Sequence, residues 1–285
     1  MSRSVPGWMA GAVALAVVAL LSSCGGRSDT AATTSGHTVP ADCPDGAPTR
    51  LVPQVVRELP HATDAFTEGL VLSDGVLYES NGLDGRSSVR AIDPATGAVR
   101  TDVAVDHDVF AEGLAVGAGD ELVQLTWKSG VAFRRDPRTL APVGRFTYRG
   151  EGWGLTTLDD GTLVQSDGSD QLVERDPGDF HEVDRWTVAR TGGPTDQLNE
   201  LDWDGERLWA NRWQTDEILR IDLDCDRVDA VVDASALTAE VRAATRAGGE
   251  VDVLNGIARG PRDGTYYVTG KLWPTMFVVR FVTSP

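Results

Sequence analysis

The sequence predicts an all-β chain folded as a five-bladed β-propeller with four antiparallel strands per blade, and three observations carry the expectation. A short apolar segment with a central glycine or acid recurs as Glu68-Gly69-Leu70, Glu112-Gly113-Leu114, Trp153-Gly154-Leu155, Asn199-Glu200-Leu201 and Asn255-Gly256-Ile257. Its central positions stand 44, 41, 46 and 56 residues apart, close to the repeat length of propeller blades. Each segment is followed by a polar turn and a second apolar run, such as Asp74-Gly75 before Val76-Leu77-Tyr78 and Asp160-Gly161 before Leu163-Val164, the pattern of a hairpin. Finally, the last unit runs out at Pro285 without a fourth strand, whereas 51–59 precedes the first unit with nothing of its own to pair. Pairing these two ends closes a ring and removes two exposed edges.

The remaining elements follow in order. Third strands are expected at 88–92, 131–133, 171–173, 218–221 and 276–279. Asp93-Pro94-Ala95-Thr96-Gly97 then turns the chain into a fourth strand, and Asp136-Pro137 and Asp176-Pro177 stand at the equivalent places, because Asp and Pro favour the first positions of a tight turn. Gly117-Ala118-Gly119-Asp120 makes a longer turn than its sister units carry. In the longest interval, Leu237, Val241 and Ala244 recur at helical spacing within 234–247, so a helix is expected before the fifth blade.

Of the 285 residues, 43 are acidic and 26 basic, for a formal charge of −17. Without a block of Lys and Arg, nucleic acid and anionic membrane surfaces are excluded as partners. The amino terminus resembles a bacterial lipoprotein signal peptide: Arg3, an apolar run to Leu21, then Ser22-Ser23-Cys24. Residues 1–23 are read as the signal, Cys24 as the lipidated residue, 24–42 as a Gly/Ser/Thr-rich tether and 43–285 as the propeller. The chain is thus expected outside the cytoplasm, a monomer touching the cell membrane only through its lipid. In that oxidising setting Cys43 and Cys225 have the option of a disulfide.

In a blade, the start of the first strand and the end of the second share one mouth of the central channel. That rule gathers Phe66, Glu68, Glu112, Trp153, Asn199, Glu200 and Asn255 with Asn81, Trp127, Lys128, Asn211, Trp213, Lys271 and Trp273. Polar groups between aromatic walls make a binding or catalytic pocket. Six motifs in order look like the plant and bacterial glutaminyl-peptide cyclotransferases: 66–70, 85–88, 112–114 with 125–128, 152–155, 198–201 with 209–213, and 254–257 with 269–274. The resemblance implies a five-bladed propeller that converts amino-terminal glutamine of peptides and proteins to pyroglutamate and releases ammonia, with no cofactor or metal. It implies Glu112, Asn199 and Lys271 as catalytic residues, Glu112 being the proton shuttle. Phe66, Glu68, Trp127, Trp153, Trp213 and Asn255 are then expected to bind substrate. Glu68 departs from the pattern, since many members carry glutamine there.

The chemistry suits those residues. Amine and carboxamide belong to one substrate residue, so positioning lowers much of the barrier; a carboxyl group moves the proton, and Asn199 and Lys271 face a developing oxyanion. Lys271 alternatively supplies its positive charge to the dyad partner of Glu112. Two other functions remain open at this stage. One is a non-catalytic binding propeller of the cell envelope. The other is a calcium-dependent propeller hydrolase or lactonase using the oxygens of Glu68, Glu112, Asn199 and Asn255.

Overall fold

The computed structural model describes residues 43–44, 46–245 and 249–284. The expected signal, Cys24 and the tether fall outside them. The chain starts with a long strand, β1 (Thr49–Pro60), and then lays down three sheets in succession. The first contains β2 (Thr67–Ser73), β3 (Val76–Asn81), β4 (Ser88–Ile92) and β5 (Val99–Ala104). The second contains β6 (Ala111–Val116), β7 (Leu122–Thr126), β8 (Val131–Arg135) and β9 (Pro142–Thr147). The third contains β10 (Leu155–Thr157), β11 (Leu163–Ser166), β12 (Gln171–Arg175) and β13 (Glu182–Thr187). Each is an antiparallel meander, as short turns between alternating strands require.

The fourth meander, β14 (Leu198–Trp203), β15 (Leu208–Arg212), β16 (Glu217–Asp222) and β17 (Arg227–Asp233), is followed by helix α1 (Ser235–Ala244). The helix falls within the stretch where the 3.6-residue pattern predicts one, and it buries Leu237 and Val241. Strands β18 (Leu254–Arg259), β19 (Tyr266–Gly270) and β20 (Thr275–Thr283) complete the chain. Here β1 acts as the missing fourth strand: it pairs antiparallel with β20 from Leu51 to Pro60. At its start it also pairs parallel with β17, through Thr49, Arg50 and Leu51, so the last two meanders merge into one eight-stranded sheet.

The first strands β2, β6, β10, β14 and β18 lie side by side in that order, and β18 returns to β2. Apolar side chains fill the spaces between successive sheets. Leu70, Leu77, Ile92, Tyr267 and Met276 pack together in one such layer, and Val123, Leu125, Leu155, Leu163 and Phe180 in another. Outer strands β5, β9 and β13 alternate exposed and half-buried residues, as strands with one solvated face do. A buried arginine repeats in two sheets: Arg135 Nε donates to Gln124 Oε1 at 2.7 Å and Nη1 to Leu140 O at 2.9 Å. Arg175 makes the same contacts with Gln165 and Phe180 O.

Two covalent or charged links fix the amino-terminal strand. Cys43 is disulfide-bonded to Cys225 in the β16–β17 turn, across 182 residues of sequence, and a cross-link of this kind is worth about 2–5 kcal/mol. At the other end of β1, the buried His61 ring bridges three segments. Its Nδ1 donates to Trp273 O at 2.7 Å, its Nε2 contacts Glu79 Oε1 at 2.7 Å, and its backbone N–H donates to Pro274 O at 2.9 Å. Since a carbonyl only accepts, Nδ1 carries a proton, and Nε2 donates to a carboxylate that also accepts from Thr67 Oγ1 and Asn81 Nδ2. Burial opposes the imidazolium, but Glu79 outweighs it and raises His61 above 6.5. Burial likewise opposes the Glu79 carboxylate, yet His61 and Thr67 hold it below 4.5.

The raised His61 contributes stability that is complete below its ordinary value near 6.5 and is lost as pH rises through the folded value. The lowered Glu79 contributes stability present above about 4.5 and lost as pH falls. His61→Gln should therefore destabilise the chain most near pH 5–6, by about 3–5 kcal/mol. Urea melts at pH 5.5 and 9 check this, with a smaller gap between variant and wild type expected at the higher pH.

Candidate active site

The start of four of the five first strands carries an irregularity that aims a side chain. Thr67 pairs with Asn81 but Gly69 with Ser80, so Glu68 is an extra residue with no partner across the ladder. Register shifts also fall between Ala111 and Leu114, Leu198 and Leu201, and Leu254 and Ile257. They enclose Glu112, Asn199 with Glu200, and Asn255. A bulge bends the strand and re-aims one side chain, which explains why the motif residues converge. The glycine that follows Glu68 and Glu112 has its own cause. A Cβ on Gly69 would stand 2.5 Å from Leu114 N and one on Gly113 2.5 Å from Leu155 N, so adjacent first strands touch only because these side chains are absent.

The bulged residues open into a cavity of about 340 Å³ lined by Phe66, Glu68, Phe110, Glu112, Trp127, Trp153, Asn199, Trp213, Gln214, Asp252, Val253 and Lys271. Its aromatic wall has two groups of touching rings. Phe66 and Phe110 meet edge to face at 6.2 Å, Phe110 and Trp127 at 5.7 Å, and Trp153 and Trp213 at 5.3 Å. Edge-to-face contacts of this type favour one mutual orientation of the rings. Glu151 fixes two of the indoles: its Oε2 accepts from Trp127 Nε1 at 2.7 Å and Trp153 Nε1 at 3.1 Å. Lys128 Nζ lies 3.5 Å from Glu151 Oε1 and 3.7 Å over the Trp127 ring. Burial works against a charged Glu151, but the two indole N–H groups and Lys128 hold it below the usual carboxylate range.

At the floor, Lys271 Nζ donates to Glu68 Oε1 at 2.6 Å and sits 4.6 Å from the Phe66 ring centre. Glu112 lines the same floor. Burial first, then the Glu68 charge, push Glu112 well above the usual carboxylate range; Lys271 offsets this only in part. Asn199 is 2% exposed, and its Oδ1 has no hydrogen-bond partner among the described residues.

Of the residues expected at the mouth, the structure brings together Phe66, Glu68, Glu112, Trp127, Trp153, Asn199, Trp213 and Lys271. Two expectations are corrected. Asn255 does not line the cavity: it is fully buried, and its Nδ2 donates to Thr67 O at 2.9 Å and Glu68 Oε2 at 3.2 Å, so it braces the floor. Glu200 also lies below, its oxygens accepting from Leu70 N at 3.1 Å and Ile257 N at 2.7 Å, which ties three first strands together. The acid paired with Lys271 is Glu68. Sequence reasoning missed Phe110, Glu151, Gln214, Asp252 and Val253. Phe110 directly precedes Ala111-Glu112, matching Phe66 ahead of Thr67-Glu68, and that parallel was the available signal.

The comparisons agree with this arrangement. A family model described as glutamine cyclotransferase matches residues 28–281. The chain belongs to the glutamine cyclotransferase family. Among cyclotransferases, it is 38% identical over 229 residues to the glutaminyl-peptide cyclotransferase of Arabidopsis thaliana, covering 80% of this chain and 70% of the relative. The crystal structure of Myxococcus xanthus glutaminyl cyclase superposes with a TM-score of 0.75 at 37% identity, over 84% of this chain and all of that one.

Because Glu151 is partly exposed, Glu151→Ala should cost no more than about 1 kcal/mol in a thermal melt. Released indoles should nevertheless change the tryptophan emission maximum and its quenching by acrylamide; an unchanged spectrum would show that Glu151 does not orient them.

Proposed function

We propose that the chain is a glutaminyl-peptide cyclotransferase that closes amino-terminal glutamine of peptides and proteins to pyroglutamate, releasing ammonia. The observation that carries it is a buried Glu112, held well above the usual carboxylate range by burial and by the Glu68 charge, in an indole-walled cavity that Lys271 also lines. The substrate α-amine, as the neutral base, attacks the carbon of its own side-chain carboxamide. Lys271 and the amide of Asn199 face the oxygen that becomes negative, where preorganised donors act most strongly. Glu112 gives its proton to the departing nitrogen, the old C–N bond breaks to free ammonia, and the Glu112 carboxylate takes back the proton that the attacking nitrogen sheds on becoming the ring amide. Trp127, Trp153, Trp213 and Phe66 hold the folded-back side chain and keep water from the carboxamide carbon. The unpartnered Asn199 Oδ1 supports a ligand-facing role, since buried polar atoms normally find partners.

Five sets of strands around a common axis, the last completed by β1, support a five-bladed propeller as the frame of this site. All cavity residues come from one chain, so the monomer suffices. The calcium-dependent hydrolase is disfavoured by the donor set: the Lys271 ammonium occupies the charge-neutralising place beside Glu68, and Asn255 turns its N–H₂ toward the same acid. A pure binding role leaves a Glu112 raised well above the usual carboxylate range without a task. The disulfide supports an oxidising compartment, and with the sequence ending in Ser22-Ser23-Cys24 it favours an extracytoplasmic protein held on a bacterial cell membrane by lipid on Cys24.

Purified 43–285 should release ammonia from a Gln-initiated dipeptide at a rate unaffected by EDTA. Glu112→Gln should lower kcat/KM at least about 100-fold with the melting curve retained; a folded wild type without ammonia release would sink the assignment. For the full chain expressed in a bacterium, Cys24→Ser should move the protein from the membrane pellet to the soluble fraction, and unchanged pelleting would exclude the lipid anchor.

A further inference from the structure

We infer that Asp252, with Gln214, forms a rim subsite for the residue that follows the cyclising glutamine, and that this subsite selects a cationic side chain, lysine or arginine. The inference rests on the cyclotransferase function proposed above. Exposure sorts the cavity lining by depth. Glu68, Glu112, Asn199 and Lys271 are buried at the floor, Trp127, Trp153 and Trp213 are half-buried along the wall, and Gln214 and Asp252 are exposed at the opening. The chemistry decides which part of a substrate meets each level. The ring that forms contains the α-nitrogen, Cα and the whole glutamine side chain up to the carboxamide carbon, so these atoms enter together. The rest of the peptide leaves through one bond, from Cα to the α-carbonyl. The second residue therefore passes the indoles and arrives at the rim.

Asp252 is a fixed acid. Its backbone N–H donates to Lys271 O at 3.0 Å, Lys271 N donates to Val253 O at 2.9 Å, and Trp273 Nε1 donates to Asp252 O at 2.9 Å. The rim carboxylate and the floor ammonium thus stand on two segments bonded directly to each other. The Asp252 side chain accepts from Val253 N at 2.8 Å through Oδ1, which leaves Oδ2 without a donor among the described residues.

The neighbouring charges already have partners. Lys128 Nζ lies 3.5 Å from Glu151, and Lys271 Nζ lies 2.6 Å from Glu68. Asp252 pairs with no Lys, Arg or His among the described residues, so the opening carries one uncompensated negative charge. Lys128 shows what fills such a place: its ammonium meets an acid while lying 3.7 Å over the Trp127 ring. A lysine or arginine of the substrate does the same at Asp252, with its aliphatic stem along the half-buried indoles and its charge on Oδ2. An acidic side chain in that position is repelled. Gln214, whose amide offers both a donor and an acceptor, suits the peptide group between the first two residues.

Ammonia release from Gln-Lys, Gln-Ala and Gln-Glu amides tests the subsite. Wild type should favour the lysine peptide over the glutamate peptide by about tenfold in kcat/KM at low ionic strength, mostly through KM, because a rim contact is made equally before and in the transition state. Asp252→Asn should reduce that ratio at least about fivefold while changing kcat/KM for the alanine peptide less than about twofold. Asp252→Glu, which keeps the charge, should retain most of the preference; it separates charge from packing and serves if the asparagine variant does not fold. Asp263→Asn removes the same formal charge from an exposed residue of a separate cavity, and it should leave the ratio unchanged. Equal kcat/KM on the three peptides, or a preference that survives Asp252→Asn, would overturn the subsite. Asn-Lys and Asn-Glu amides are one carbon too short to close a five-membered ring, so their quenching of tryptophan emission reads the rim without turnover. Lysine selectivity there, in a folded protein that releases no ammonia from any of the three glutamine peptides, would overturn the cyclotransferase function and leave the charge-selective rim in place.

Discussion

The pairing of β1 with β20 closes the ring of strands, and the position of the charged floor depends on it. Immediately after β1, the chain passes beneath the turn that carries Lys271: Leu272 N donates to Ala65 O at 2.7 Å, and His61 holds Trp273 and Pro274. Leu272 itself has φ of 61°, a conformation a branched residue adopts only when its surroundings impose it. The closing strand thus supplies both the missing ladder of the last sheet and the clamp on an otherwise unfavourable turn. Opening the ring would remove the ammonium from the site as well as expose two strand edges.

Within the closed ring, bulges and burial together create the electrostatics. The bulges at Glu68 and Glu112 bring two acids to one point, and the apolar first strands beneath deprive them of water. Neither effect alone suffices: exposed acids this close would both ionise with modest shifts, and a lone buried acid would merely be neutral. Lys271 decides between them by pairing with one. The indole wall limits solvent access, and Glu151 keeps that wall rigid from outside the cavity through side-chain bonds to two rings.

Much of this was legible in the sequence because the first strands obey a local rule. A polar or aromatic residue, then glycine, then an aliphatic marks the start of four of the five first strands, Asn199-Glu200-Leu201 being the exception, and the aliphatic is a core position in all five. The strand that closes the ring was legible by elimination, as the segment without a local partner. What escaped was set by contacts between units. Glu151 sits in a connecting segment with no periodic pattern, and nothing near it in sequence announces that two distant indoles will donate to it. Asn255 obeys the motif and yet points its amide inward, because Glu68 of the neighbouring strand needs a donor. Lys271 meets the same need from the other side of the acid.

The disulfide has a mechanical consequence. Cys43 is linked covalently to the turn between β16 and β17, six residues before β1 begins at Thr49. Tension applied to the chain upstream of Cys43 is carried through the sulfur bridge into the fourth meander, where it meets a full set of antiparallel hydrogen bonds. The load bypasses β1, which would otherwise be peeled residue by residue from β20 like a zipper pulled from its end. A pull from upstream of Cys43 therefore leaves the seam of the ring, and the turn clamped behind it, unstressed.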